Sequence, residues 1–266
     1  MMLKGKVTRN IMCTNSDAID DGGGGGGGGR GGGSGGGAAD NMGTGFRSIE
    51  RYGPGFFGIK LKIPAKKTTG IITTFYLISQ PNDDEQRHEV DFEFLGSDTQ
   101  HYLLSTNVIS NGNLHREQQF ALWFDSAADF HFYQILWNRH QLVLFVDGTP
   151  IRVLKYGPSI EGIFPTKPME IQGTIWNATW GSQGKAVNWG VGPFHAYYQG
   201  FGVDGCSAKL NNPRECYSLR YEWNRKEFWE LNQHQQNAYE HVRRKYLTYD
   251  CYTKTSSPTP ECKINY

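Results

Sequence analysis

From Phe46 to Leu154 the chain is one short apolar run after another, with turn residues between runs at intervals of roughly ten residues. Gly55-Phe-Phe-Gly-Ile-Lys-Leu-Lys-Ile-Pro64 alternates apolar and polar positions and stops at a proline. Gly70-Ile-Ile-Thr-Thr-Phe-Tyr-Leu-Ile-Ser79 is β-branched and aromatic, the composition of a buried strand. Glu89–Leu95 alternates strictly, and His131–Trp137 and Gln141–Val146 flank a short Asn138-Arg-His140 link. Asp147-Gly148 then turns the chain toward Ile151–Leu154. A period of two buries one face of each strand and requires a second layer to cover it. An all-β sandwich or jelly roll is the expected fold.

One helix is expected, late in the chain. Asn224–Tyr246 lacks Gly and Pro, and Phe228, Leu231, Ala238, Val242 and Tyr246 fall close to helical spacing. An extended arm with Cys251, Pro258, Pro260 and Cys262 follows it. At the other end, 14 of the 34 glycines lie between Gly22 and Gly37. Such a tract has too little apolar surface to offset the entropy of ordering its backbone, so residues 1–42 are expected to be disordered. The chain as a whole is rich in aromatics, at 14%, and carries a formal charge of only +1. That balance gives no electrostatic basis for binding nucleic acid, and no run is long and apolar enough to place the chain in a membrane.

Cys13 stands alone, whereas Cys206, Cys216, Cys251 and Cys262 form two close pairs. The pairs suit two small disulfide loops made in an oxidising compartment, and four reduced thiols are the alternative. No Cys-x-x-Cys occurs, so no metal is expected. The basic start Met1–Arg9 is not followed by the apolar core of a secretory signal.

Chemistry is concentrated in His88-Glu-Val-Asp-Phe-Glu-Phe-Leu-Gly96. On a strand, Glu89, Asp91 and Glu93 share one face while Val90, Phe92 and Phe94 share the other. The aromatic face suits a core. The acidic face lines three carboxylates along about 13 Å, a spacing that costs repulsion unless a function uses it. A solvated edge strand is the plainer explanation. Paired carboxylates suit glycoside hydrolysis, in which a retaining enzyme uses one as nucleophile and the other as acid/base. Asp91 would sit between them and tune both. Tyr76, Trp123, Trp176, Trp180 and Trp189 lie in segments that also carry Asn107, Arg116, Glu117, Gln118, Asn177 and Asn188. Rings for sugar C–H faces beside polar groups for hydroxyls fit a groove for a neutral polymer.

The acidic motif is similar to the His-Asp-Glu-Ile-Asp-Phe-Glu-Phe-Leu-Gly of plant xyloglucan endotransglucosylase/hydrolases in glycoside hydrolase family 16, with one residue fewer between His and the first Glu. Matches continue in order through Tyr52-Gly-x-Gly-Phe-Phe57, Thr106-Asn-Val108, Arg116-Glu-Gln118, Trp123-Phe-Asp125 and Ile135-Leu-Trp-Asn138. They run on through Pro150-Ile-Arg152, Ile175-Trp-Asn177, Phe201-x-Val-Asp-Gly-Cys206 and Arg243-Arg-Lys-Tyr246. The resemblance spans about residues 44–262.

The resemblance implies a concanavalin A-like β-jelly roll over residues 43–205 and a C-terminal extension over 206–266 with a helix and a disulfide-bonded arm. It assigns Glu89 as nucleophile, Asp91 as helper and Glu93 as general acid/base. It suggests Tyr76, Asn107, Arg116, Glu117, Gln118, Trp176, Asn177, Trp180 and Arg243 as substrate-binding residues, and Cys206–Cys216 and Cys251–Cys262 as disulfides. The implied partners are xyloglucan donor and acceptor chains, acted on by a secreted, apoplastic monomer that needs no cofactor. Strict hydrolysis and inactive sugar binding are the alternatives. Two departures stand out. The glycine tract replaces the family's first strands, so an open sheet edge is expected, and Ser105 stands where the family often has Gln.

Overall fold

A computed structural model describes residues 6–7, 11–15, 43–65, 67–79, 85–99 and 101–254. The sandwich is organised by one long strand, β3 (Gly43–Lys62), which serves two layers. Its first half pairs with β11 (Met169–Asn177), and its second half pairs with β8 (His131–Trp137) on one side and β12 (Phe194–Ser207) on the other. The passage between layers falls at Gly53-Pro-Gly55, where crossing backbones crowd together. A Cβ on Gly55 would lie 2.6 Å from the Gly205 Cα and 2.7 Å from the Phe57 ring, so only glycine fits.

Beyond β11 the path continues through β4 (Ile71–Ile78), β5 (His88–Leu95), β6 (Leu103–Ser110), β7 (Gln118–Ala121) and β13 (Leu247–Asp250). Beyond β8 it continues through β9 (Gln141–Val146) and β10 (Thr149–Lys155). Asp147 and Gly148 take φ of 50° and 78°, the mirror-image turn that joins two antiparallel strands through two residues.

The odd–even logic of β5 sets the core. Val90, Phe92 and Phe94 are enclosed, and both Phe rings meet Tyr133 of the opposite layer edge-on, at 5.7 Å and 5.0 Å. Phe92 also stacks on Phe75 of β4 at 6.1 Å. Each such ring withdrawn from water contributes about 1.5–3 kcal/mol.

The expected helix is shortened at its start. Residues 222–224 and 226–228 form two 3₁₀ turns, and α1 runs only from Gln233 to Tyr246. Asn232 stops it from extending further back, because its side chain accepts from the Gln235 amide while Gln235 reaches back to the Asn232 amide. Upstream, Asn138 donates to the carbonyls of Trp223 and Phe228, at 2.8 Å and 2.9 Å, and fixes the 3₁₀ turns to the sandwich.

Of the two expected disulfides, Cys206–Cys216 is present. Cys251 is disulfide-bonded, and Cys262 lies outside the described residues. Most of residues 1–42, the head expected to be disordered, also lie outside them. β1 (Lys6–Val7) and β2 (Ile11–Asn15) run antiparallel to β12, so the edge expected to be open carries paired backbone.

Candidate active site

Antiparallel register arranges side chains of one parity in rows across β11, β4, β5 and β6. Thr174, Thr74, Glu93 and Ser105 form one row, continued by Gln119 of β7. Gln172, Tyr76, Asp91 and Asn107 form the next, and Glu170, Ile78, Glu89 and Ile109 the third. Past Glu93, the row Trp176, Ile72, Leu95 and Leu103 is apolar and packs with Ala178. Trp180 stands over its end, 56% exposed, with its ring 6.3 Å from that of Trp176. One sheet face therefore runs from carboxylates to indoles.

The carboxylates differ in surroundings. Glu89 meets Arg87, two residues upstream on the same side, with Nε 3.1 Å from Oε2. Asp91 is enclosed, and its Oδ1 has no hydrogen-bond partner among the described residues. Burial holds the Asp91 carboxyl well above the usual carboxylate range, and the charges of Glu93 and Glu89 add to this; Arg152 behind the sheet opposes it. Burial likewise pushes Glu93 from 4.5 up to about 8, aided by Glu89 and Glu117 and opposed by Arg87. The arrangement supplies one ion-paired carboxylate and one acid that keeps its proton at neutral pH, about 13 Å of strand apart at their Cα atoms.

Tyr76 belongs to the same device. Its hydroxyl donates to Gln172 Oε1 at 2.8 Å, and burial plus the Glu89 charge disfavour its ionisation. His88 points the other way and anchors the strand. Its Nδ1 accepts from the amides of Thr166 and Lys167, at 3.0 Å and 3.3 Å, which leaves Nε2 to donate to Asn111 Oδ1 at 3.0 Å. Burial lowers its pKa and keeps that neutral form.

Among the residues expected to bind substrate, Tyr76, Asn107, Trp176 and Trp180 occupy the carboxylate face or its end. Glu117 joins them through a long 3.5 Å contact from Asn107 Nδ2. Arg116, Gln118 and Arg243 do not. Arg116 is enclosed and donates to the Ile163 carbonyl at 2.8 Å. Gln118 has the parity of Thr106 and faces away from the acids. It reaches Asp250, whose other oxygen takes Arg243 Nη2 at 2.5 Å. Through Asp250, Gln118 and Arg243 tie the C-terminal extension to the back of the sheet. Asn177 is half-buried and has the parity opposite to Trp176. Arg87, two residues before Glu89, and Ser105, where the family often has Gln, lie on this face as well; Gln172, Thr74, Thr174 and Gln119 share it with no expectation attached to them. Only strand register brings them to the acids, and the sequence does not print register.

The profile of Glycosyl hydrolases family 16 matches residues 33–190. The chain is 43% identical over 231 residues to "Putative xyloglucan endotransglucosylase/hydrolase protein 1" of Arabidopsis thaliana, covering 85% of this chain and 77% of that one. It is 40% identical over 229 residues to "Xyloglucan endotransglucosylase/hydrolase" of Brassica oleracea var. botrytis, covering 83% and 77%. Among solved structures, Bacillus licheniformis β-glucanase superposes with a TM-score of 0.51 at 27% identity, over 62% of this chain and 78% of that one. A lichenase from a mouse hindgut metagenome gives 0.55 over 72% and 78%; at 22% identity it speaks for the fold alone. The chain belongs to glycosyl hydrolase family 16 and, within it, to the xyloglucan endotransglucosylase/hydrolases.

Proposed function

We propose that the protein cleaves the β-1,4-glucan backbone of xyloglucan by retaining double displacement and passes the glycosyl group to another xyloglucan chain, in the apoplast. In the first step a Glu89 oxygen attacks the anomeric carbon, and the glycosidic C–O bond breaks as Glu93 gives its proton to the departing oxygen. In the second, an acceptor hydroxyl attacks the same carbon. Its proton returns to Glu93, and the ester electron pair returns to Glu89. Asp91 between them shares its proton and limits the repulsion when Glu93 is ionised.

The observation that carries this reading is the unequal environment of three carboxylates on one face. Glu89 is ion-paired, while burial favours the protonated form of Asp91 and of Glu93. Trp176 and Trp180 extend that face with surfaces suited to sugar rings. β13 of the C-terminal extension pairs with β7 and lengthens the sheet on the other side. Incubation with xyloglucan and a labelled xyloglucan oligosaccharide tests the assignment. Label entering polymer supports transfer; new reducing ends without label, or binding without turnover, contradict it.

A further inference from the structure

Aligned on its acids, the motif puts Arg87 in the place where the family pattern carries His, two residues before the nucleophile. The ladder reaches that far, because the Asn111 amide donates to the Arg87 carbonyl at 3.1 Å. Arg87 therefore keeps the parity of Glu89, and their side chains meet at 3.1 Å with 14% and 17% of their surfaces exposed. We propose that Arg87 is a positioning residue for the nucleophile. Its guanidinium fixes Glu89 as an aimed carboxylate in the free enzyme and again receives that carboxylate when the glycosyl ester breaks. This inference rests on the reaction proposed above.

The other charged or titratable groups around Glu89 do not substitute for it. Asp91 and Glu93 on β5, and Glu117 before β7, carry the wrong sign. Tyr76 on β4 is held neutral. Glu170, in the same row on β11, is taken by Arg51 at 3.1 Å. The Lys167 ammonium is bound to Gln86, at 2.6 Å and 2.8 Å, and His88 lies on the opposite face in its neutral form. An opposite charge at this range lowers a carboxyl pKa by about one unit or more, and Arg87 acts on Glu93 in the same direction. Removing it raises both groups, so both limbs of the activity profile move to higher pH.

The test is the pH profile of kcat/KM for transfer in wild type, Arg87→Gln and Arg87→Lys, with circular dichroism to confirm folding. The expected result is an alkaline displacement of about one pH unit in Arg87→Gln and none in Arg87→Lys. A profile that falls in height without moving, or that moves equally in both variants, overturns the proposal. Should Arg87→Gln not fold, Arg87→His is measured instead. That side chain is neutral above about pH 6.5, so only the alkaline limb should move; an unmoved limb again overturns the proposal. Glu89→Ala separates the two questions. If it keeps activity, the assigned nucleophile is wrong. If it is dead while Arg87→Gln retains the wild-type profile, only the role of Arg87 is wrong.

Discussion

Glu93→Gln should abolish transfer and at the same time stabilise the protein, by an amount that depends on pH. Burial and neighbouring charge raise the Glu93 carboxyl from 4.5 to about 8 in the fold. Below pH 4.5 it is protonated in both folded and unfolded chains and contributes no pH-dependent term. Between 4.5 and about 8 the unfolded chain ionises and the folded one does not, so stability falls as pH rises. At about 1.4 kcal/mol per pH unit, the full interval costs on the order of 5 kcal/mol. Glu93 retains some contact with solvent on the groove side, so a gain of about 2–4 kcal/mol is expected at pH 8 when Gln replaces it. Near pH 4.5 the gain should be under about 1 kcal/mol. Urea unfolding followed by tryptophan fluorescence, on both proteins at both pH values, measures the difference. Equal effects at the two pH values, or destabilisation at pH 8, would refute a Glu93 held protonated by its surroundings.

Glu89→Ala should lower transfer by at least about a thousandfold while leaving the unfolding midpoint nearly unchanged, which separates loss of the nucleophile from loss of structure. Cys206→Ala with Cys216→Ala opens a bridge between residues ten apart in sequence, and chain entropy puts the cost at about 3 kcal/mol. Its signature is a lowered midpoint with wild-type kcat in the surviving folded fraction. Phe92→Ala empties a wholly enclosed site between the layers and should cost about 3–5 kcal/mol by denaturant titration. A loss under about 1 kcal/mol would mean that the two layers do not meet at Phe92 as described.

What could be read from the sequence follows the range of the interactions involved. The strands β5, β8 and β9, and the Asp147-Gly148 turn, are written in period-two alternation and in residues that accept positive φ, both local signals. The helix start was misplaced because Phe228 and Leu231 continue the apparent spacing. Their real partners are in the second core cluster around Trp223, brought together by Asn138 roughly 90 residues away. The three acids were legible because a single strand presents them. That Gln118 faces away from the acids is not legible in the sequence, because the face that β7 turns toward them is fixed by pairing Thr106 with Gln118. Gln172 was missed for the same reason: it meets Tyr76 only through the β4–β11 register. Pairing of the head with β12 had no composition signal either, since the glycine tract dominates residues 1–42.

Covalent catalysis by Glu89 on a xyloglucan chain requires a glycosyl ester at that carboxylate. Trapping with a 2-fluoro xyloglucan oligosaccharide bearing a good leaving group, followed by intact mass and peptide mapping, addresses it directly. The expected result is a mass increase of one oligosaccharyl group, located at Glu89 in the peptide containing His88–Gly96 and lost on incubation with unlabelled acceptor. Attachment at Glu93, or turnover of xyloglucan with no trapped species, would contradict it.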